Sequence, residues 1–448
     1  MTFDGQDVLV LGLGMSGCSA ADYLSQRGAR VVAADERDPE SIPGLASLAV
    51  NVERRVGEPF PDPAAFDLVV PSPGVPAARY ADRARKAWGD IELCYRALDL
   101  PIVAVTGTNG KSTVVRLIET LARGAGLRAR AAGNLGLPAL ELVGEPLDLA
   151  ILEVSSFQLE SVDTFRPRIG LLLNVTPDHL DRHGDLAGYL AAKARLFARQ
   201  GAGDVAIVNQ DDPLCARLTL PAGVERLAFS CRGPVEAGAW LEGRSVMIRR
   251  AGRTQQFSLE GLEALEGQLD NLMAALLAIA ALDLDLDAAA GALVHFEGLP
   301  HRCQLAGELG GVRYFDDSKA TNVGAAERAL QGFDAPIVWI AGGRHKGGDL
   351  SGLVRCAEGR VRRALLIGEA AEIFERALAD HVSSEISGDL DHAVSSAAAI
   401  AQPGDVVLLA PACASFDQFP HFEARGRAFQ SAVARLVEAA TAKAGGGR

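Results

Sequence analysis

The densest group of residues able to do chemistry is Thr106–Thr113, TGTNGKST. Gly107 and Gly110 frame a loop, and Lys111, Ser112 and Thr113 follow at once. A glycine loop running into a helix turns backbone N–H groups and the helix N-terminus toward an anion. A lysine there adds charge, and a hydroxyl can hold Mg²⁺. The residue types therefore predict an ATP site built from Gly107, Thr108, Asn109, Gly110, Lys111, Ser112 and Thr113. The longer phosphate-loop pattern asks for Gly or Ala five residues before Gly110 and meets Val105 instead, so the match is to the shorter GxxGK[ST] form.

Polar residues also collect where two apolar runs end. Glu153 lies near the end of LAILEV with Ser155, Ser156 and Gln158 after it, and Asn174 closes IGLLLN with Thr176, Asp178, His179 and Asp181 after it. Lys193 sits among Ala and Leu in YLAAKARLF and by itself reads as a surface lysine. Near the N-terminus, Gly12, Gly14 and Gly17 follow one apolar run and Asp35 closes the next. That fingerprint suits a nicotinamide or flavin cofactor, and equally any nucleoside diphosphate resting on a helix N-terminus.

Strands must present these residues. Apolar runs at 6–12, 30–34 and 66–70 predict a first βαβ unit. Runs at 102–105, 149–154, 169–174 and 204–209 predict a second, and those at 337–340, 364–367 and 406–409 a third. Near-continuous Ile/Val/Leu runs are expected of parallel strands covered on both faces. The segment 229–262 alternates and predicts short antiparallel strands, and Leu272, Ala275, Leu276 and Ile279 mark a helix face. The turn at Gly298 in GLPHRCQ reads as an elbow. The fold class expected is α/β: three Rossmann-like domains with mostly parallel sheets, at 1–93, 94–297 and 298–448, the central one carrying the phosphate loop.

The chain has 448 residues and a net charge of −13, which argues against a nucleic-acid surface. Its cysteines, at 18, 94, 215, 231, 303, 356 and 413, show neither paired nor metal-type spacing and read as reduced thiols. No apolar run approaches the ~18 residues needed to cross a bilayer. Val8–Leu11 is too short for a signal core and follows Asp4 and Asp7 with no Lys or Arg, so a cytoplasmic protein is expected. The tail 443–448, KAGGGR, reads as disordered.

Taken in order, TGTNGKST (106–113), EVSSFQLE (153–160), NVTPDHLDRH (174–183), GLPHR (298–302), DDSKATN (316–322) and APACASFDQFPHFEARG (410–426) resemble the Mur ligase family along nearly the whole chain. The resemblance implies an ATP-dependent ligase that forms an amide through an acyl phosphate. The DSKATN and PACAS blocks are similar to those of the member that adds D-glutamate to UDP-N-acetylmuramoyl-L-alanine in peptidoglycan assembly. The same reaction with L-glutamate and a folylpolyglutamate-synthetase-like ligase are the alternatives. A nicotinamide oxidoreductase would leave GTNGKST unexplained, and intact Lys111, Glu153, His179 and Lys193 argue against a non-catalytic nucleotide sensor.

Carried over position by position, the resemblance implies catalytic roles for Lys111, Glu153, His179 and Lys193. It implies two Mg²⁺ ions held by Ser112 or Thr113, Glu153, His179 and a carbamylated Lys193. Further ATP contacts would come from Asn271, Arg302, Asp317 and Lys319. The UDP-linked substrate would meet Met15, Ser16, Asp35, Glu36, Arg37, Ser72 and Gly74, with Asp35 at a uracil edge and Asn134 and Gln158 at the muramoyl end. Glutamate would meet Thr321, Lys346, Ser415 and Phe422. The family's His-Asn-x-x-Asn signature is missing from Gly267–Ala274, where Asn271 is the candidate that remains. The partners expected are the two substrates, with no nucleic acid or membrane, and the chain is expected to act as a monomer.

Overall fold

The structure is a computed structural model and describes residues 1–134, 136–296 and 298–445. By its contacts the chain divides into two compact units, Met1–Leu259 with Asp270–Val294, and Glu260–Leu269 with His295–Arg448.

The first unit holds two sheets. In the N-terminal one, β1 (Asp7–Leu11), β2 (Arg30–Asp35), β3 (Glu53–Val56) and β4 (Leu68–Pro71) are all parallel in the order β3-β2-β1-β4. Helix α1 (Met15–Ser25) starts directly after Gly14, its N-cap, and takes in Gly17. Gly17 lets α1 approach the sheet: a Cβ there would lie 1.9 Å from the Gly12 carbonyl oxygen and 2.6 Å from Ser72 Oγ. This meets the close helix–strand packing that the third glycine of such fingerprints permits.

The second sheet has β5 (Ile102–Thr106), β6 (Ala129–Gly133), β7 (Leu149–Glu153), β8 (Ile169–Leu172), β9 (Val205–Asn209), β10 (Glu225–Ser230), β11 (Gly238–Glu242), β12 (Ser245–Arg250) and β13 (Arg253–Ser258). Its order is β13-β12-β11-β10-β9-β8-β5-β7-β6. From β6 to β11 the pairing is parallel; β12 and β13 are antiparallel. The expectation of antiparallel strands in 229–262 holds for β11, β12 and β13, which pair antiparallel in turn, while β11 joins the parallel part through β10. All of β5, β7 and β8 is buried, as a sheet covered on both faces requires. Helix α2 (Asp90–Ala97) precedes this sheet, α3 (Lys111–Gly124) follows the phosphate loop, and α4 (Ser156–Leu159), α5 (Leu180–His183) and α6 (Leu186–Ala194) follow the later strands.

The second unit carries β14 (Gln304–Leu309), β15 (Val312–Asp316), β16 (Ile337–Gly342), β17 (Val361–Ile367), β18 (Ser384–Gly388) and β19 (Val406–Leu409), in the order β14-β15-β19-β16-β17-β18. Here β14 is antiparallel and the others are parallel. The C-terminal helix Phe422–Gly445 takes in 443–445 of the tail expected to be disordered, and 446–448 lie outside the described residues.

The expected domain limits differ from this arrangement in two places. Leu93 falls inside α2, where Glu92 is fully buried and accepts from the backbone N–H groups of Asp163, Thr164 and Phe165. Residues 260–269 pack with the third sheet instead of the second, since Gly267 lies against Cys303 and Phe333 and Glu266 pairs with Arg313. Among the described residues no helix is long and apolar enough to cross a membrane.

Candidate functional site

Strand β5 delivers the loop at Thr106–Gly110. Gly107 (φ +156°) and Gly110 (φ +86°) occupy backbone regions that glycine enters without penalty, and a Cβ at Gly107 would also crowd Leu173 Cβ at 3.0 Å. Asn174, at the end of β8, fixes the loop. Its Oδ1 accepts from Asn109 N at 2.8 Å, its Nδ2 donates to Asn109 O at 3.1 Å, and its carbonyl accepts from Thr108 N at 2.9 Å. Ser112 and Thr113 are buried in the first turn of α3.

Lysines from two helices meet at this loop. Lys111 Nζ donates to Gly107 O at 2.8 Å and Thr108 O at 2.9 Å, and Lys193 Nζ donates to the same Gly107 O at 2.8 Å. Lys193 is 1% exposed, which overturns its reading as a surface lysine. Its ammonium lies 4.3 Å from the centroid of the Tyr189 ring. Burial, with the charge of Lys111 adding to it, pushes the Lys193 pKa well below the usual lysine value. Burial likewise pushes the Tyr189 hydroxyl up to about 12.

Glu153 ends β7, in register with Val105 on one side and Gly133 on the other. It is 2% exposed; Oε1 accepts from Asn134 Nδ2 at 2.8 Å, while Oε2 is buried with no hydrogen-bond partner. An unpartnered buried carboxylate oxygen one strand away from a phosphate loop fits a cation ligand. The donor set fits Mg²⁺: a carboxylate oxygen and the hydroxyls of Ser112 and Thr113, leaving positions for phosphate oxygens and water. Among the described residues no group of three or more His, Cys, Asp or Glu forms a ready-made metal cluster. His179 takes a left-handed backbone (φ 52°, ψ 32°) as N-cap of α5, and its ring lies 4.9 Å from that of Phe157. Such strain at a non-glycine residue is characteristic of functional loops.

Every residue expected to hold the UDP-linked substrate lines a single cavity of about 520 Å³: Met15, Ser16, Asp35, Glu36, Arg37, Ser72, Gly74, Asn134 and Gln158. Phe60 and Arg79 join them, and sequence reasoning missed both. Asp35 is held by hydrogen bonds at both carboxylate oxygens. Its Oδ1 accepts from Arg37 N and Nε, each at 3.0 Å, and its Oδ2 from Leu13 N and Arg37 Nη2, each at 2.7 Å. Burial alone would raise its pKa, but these bonds outweigh burial and hold it below the usual carboxylate range. With both oxygens doubly engaged, Asp35 anchors the Arg37 guanidinium at the cavity. Asn134 and Gln158 are similarly engaged, with Glu153 and with Asp90 (Gln158 Nε2 to Asp90 Oδ2, 2.9 Å).

The cavity and the catalytic loops are tied together by Arg182, which sequence reasoning passed over although it lies within NVTPDHLDRH. Its Nη2 donates to Val75 O at 3.1 Å and to Glu160 at 2.6 Å.

In the second unit, Lys319 Nζ lies 4.1 Å above the Phe422 ring, and Ser318 Oγ donates to Phe422 O at 2.8 Å. Thr321 N donates to Lys319 O at 2.7 Å. Arg344 and Ala414 exchange backbone hydrogen bonds, which brings the loop of exposed Lys346 to that of buried Ser415. Arg425, 1% exposed, joins both groups: Nε donates to Ser318 Oγ at 3.0 Å, Nη2 to Ser318 O at 2.9 Å, and Nη1 and Nη2 to Cys413 O at 3.2 Å. Burial lowers its guanidinium pKa to about 10. Asp317, beside Arg302, has its carboxyl pushed up to about 6 by burial. Asn271 lies buried in the first unit with Nδ2 lacking a partner.

A mostly parallel α/β protein with a phosphate loop on its central sheet, two lysines on one loop carbonyl and a partnerless buried carboxylate oxygen is equipped to transfer a phosphoryl group. The family models agree in order along the chain. The Mur ligase MurD-like N-terminal domain matches residues 6–89, the Mur ligase middle domain 105–279, and the Mur ligase glutamate ligase domain 301–413. The chain belongs to the Mur ligase family. It is 41% identical to the UDP-N-acetylmuramoylalanine–D-glutamate ligase of Pelotomaculum thermopropionicum, over 97% of this chain and 98% of that one. It is also 41% identical to the ligase of the same description from Geobacter metallireducens, over 97% and 99%. A pseudomurein peptide ligase type C from Methanothermus fervidus shares the fold at 15% identity with a TM-score of 0.58, over 96% of this chain and all of that one.

Proposed function

We propose that this chain is an ATP-dependent C–N ligase that adds D-glutamate to UDP-N-acetylmuramoyl-L-alanine during peptidoglycan precursor synthesis. Full-length identity of 41% to ligases of that description supports the substrates, and the setting of Glu153 carries the chemistry. One strand end faces the phosphate loop in register on one side and, through Oε1, holds Asn134 of the cavity wall on the other.

The alanyl carboxylate attacks the γ-phosphate of ATP, ADP leaves, and the glutamate amine displaces phosphate from the acyl phosphate. Two anions meet in the first step, so it requires positive charge on the transferring group. Lys111 supplies it, and Gly107–Thr113 orient the β- and γ-phosphates. Ser112 or Thr113 and Glu153 would hold a Mg²⁺ ion, which would supply further charge at the phosphate oxygens, and His179 would serve a second ion. Lys193 fits carbamylation, because CO₂ adds only to a neutral amine and burial beside Lys111 favours that form. Thr321, Lys346, Ser415 and Phe422 receive glutamate, and Asn271, Arg302, Asp317 and Lys319 complete the nucleotide site. Separate domains for the UDP-substrate, ATP and the amino acid, a monomeric state and a cytoplasmic location complete the proposal.

The test is release of phosphate and ADP by the purified chain. Release that needs UDP-N-acetylmuramoyl-L-alanine and D-glutamate together, with L-glutamate inert, is expected. Equal turnover with L-glutamate, or turnover without the muramoyl substrate, overturns the assignment.

A further inference from the structure

Asp90 opens α2 and is 2% exposed, yet it stands outside the cavity and outside the catalytic loops. The donors to its carboxylate are neutral: Ile91 N at 3.0 Å to Oδ1, Gln158 Nε2 at 2.9 Å to Oδ2, and the Ser16 hydroxyl. Burial pushes this carboxyl up, against the hydrogen bonds from Gln158 and Ser16. A buried acid held only by neutral groups is a poor source of stability compared with an apolar side chain, so its position calls for another explanation.

That explanation lies one layer inward. Ser16 and Gln158 line the cavity, and Asp90 sits behind both. Gln158 Oε1 accepts from Ser155 N at 3.0 Å and Ser155 Oγ at 3.3 Å, while Nε2 gives one of its two protons to Asp90. One N–H remains for the cavity. Ser16 has a single hydroxyl proton, and Asp90 takes it, which leaves the Ser16 lone pairs for the cavity. These wall residues come from α1 and α4, and Asp90 itself from α2.

We propose that Asp90 is a positioning residue that sets the polarity of the cavity wall, holding Ser16 Oγ as an acceptor and Gln158 Nε2 as a donor toward the nucleotide-sugar substrate. The ligand groups that fit are a hydroxyl or amide N–H at Ser16 and a carbonyl or phosphoryl oxygen at Gln158. This rests on the assignment of the cavity to the UDP-linked substrate.

Asp90→Asn tests it at nearly constant volume. Whichever way the new amide turns, its NH₂ faces Ile91 N–H or Gln158 Nε2, so a donor meets a donor. Binding of UDP-N-acetylmuramoyl-L-alanine to the full chain is measured by calorimetry, beside steady-state kinetics. The variant is expected to bind this substrate about tenfold or more weakly, the loss of a charge-assisted hydrogen bond, with KM for ATP and glutamate and kcat nearly unchanged. In a Ser16→Ala, Gln158→Met background the same change is expected to add nothing. A Kd within about threefold of the parent, an effect undiminished in that background, or a common shift of every KM would overturn the proposal. If Asp90→Asn fails to fold, Ser16→Ala and Gln158→Met carry the test, since both act through one carboxylate: non-additive losses in Kd support it and additive losses overturn it. Failure of the parent chain to bind the nucleotide sugar would overturn the cavity assignment itself, a result separate from any of these.

Discussion

Lys111 and Lys193 share an acceptor: each Nζ lies 2.8 Å from the carbonyl oxygen of Gly107. One lysine opens α3 directly after the loop and the other comes from α6. Two ammonium groups on one carbonyl repel, and Lys193, being the buried one, is the group that gives up its proton more readily. The arrangement separates their roles. In the proposed mechanism Lys111 meets the phosphates, and Lys193, its pKa lowered by burial, is the amine proposed to take up CO₂.

The role of Lys111 is tested by Lys111→Ala. The side chain lost is partly exposed and β5 behind it is wholly buried, so thermal stability is expected to stay close to the parent's. Turnover is expected to fall by more than ~10³, the scale for losing a charge that stabilises a transition state. Near-normal turnover would remove the phosphate loop from the mechanism.

Lys193 has a second consequence, in the pH dependence of stability. Its pKa is lowered in the folded chain from 10.5, so between that lowered value and 10.5 the unfolded chain binds more protons. Stability then rises with pH across that window, and burial of the lysine costs most below it. Without CO₂, Lys193→Met is expected to melt higher than the parent near neutral pH, with the gap closing toward pH 10.5. Carbamylation is checked on activity: Lys193→Ala inactive, partial rescue by short carboxylates, and parent activity lowered by exhaustive removal of CO₂. A gap that does not vary with pH would contradict the lowered pKa, and a fully active alanine variant would return Lys193 to a structural role.

Gly17 is a purely steric test, because its φ is not in the left-handed region. Gly17→Ala places a methyl 1.9 Å from the Gly12 carbonyl, so α1 must move away from the sheet. A loss of about 1–3 kcal/mol, the usual scale for overpacking, is expected from the denaturant midpoint, together with weaker binding of the UDP-linked substrate. An unchanged midpoint would mean that α1 is not held where the structure has it.

The contrast between what could and could not be read from the sequence follows from burial. Strands β5, β7, β8, β9, β16 and β19 are apolar throughout or nearly so because both faces are covered, and these were legible. Of the strands passed over, β3, β6, β14 and β18 lie at sheet edges, whereas β10 and β15 are interior. ERRV in β3 is charged, as suits an edge, and ARAAG in β6 lacks β-branched residues. In the site, glycine spacing and motif order located the phosphate loop and the cavity walls. Residues acting through others carried no local signal. Asp90 and Gln158 are 68 positions apart in sequence, and nothing in DIELC announces that its acid reaches an amide in SFQL. Lys193 was misread alone for the same reason: the Ala-rich helix around it looks solvent-facing until Tyr189 and Gly107 close over it.

Glutamate recognition gives the remaining test. The amino acid brings two carboxylates and an amine that must stay free to attack, so its pocket needs cations and donors for the acids alone. Lys346 is exposed on the loop after β16, and the exchange between Arg344 and Ala414 sets that loop against Ser415. Arg425 holds the same Cys413–Ser415 segment to Ser318, and Lys319 and Phe422 stack beside it. The second unit thus presents a point charge on one side and a hydroxyl with backbone N–H groups on the other, with Phe422 available to the methylenes. Lys346→Ala is expected to raise KM for glutamate by roughly 10- to 150-fold, the equivalent of about 1.5–3 kcal/mol for a charge-assisted contact. KM for ATP and for UDP-N-acetylmuramoyl-L-alanine should remain close to the parent's, since Lys346 touches neither in this assignment. A glutamate KM within about threefold of the parent, well below that cost, would place the acceptor site elsewhere on the second unit.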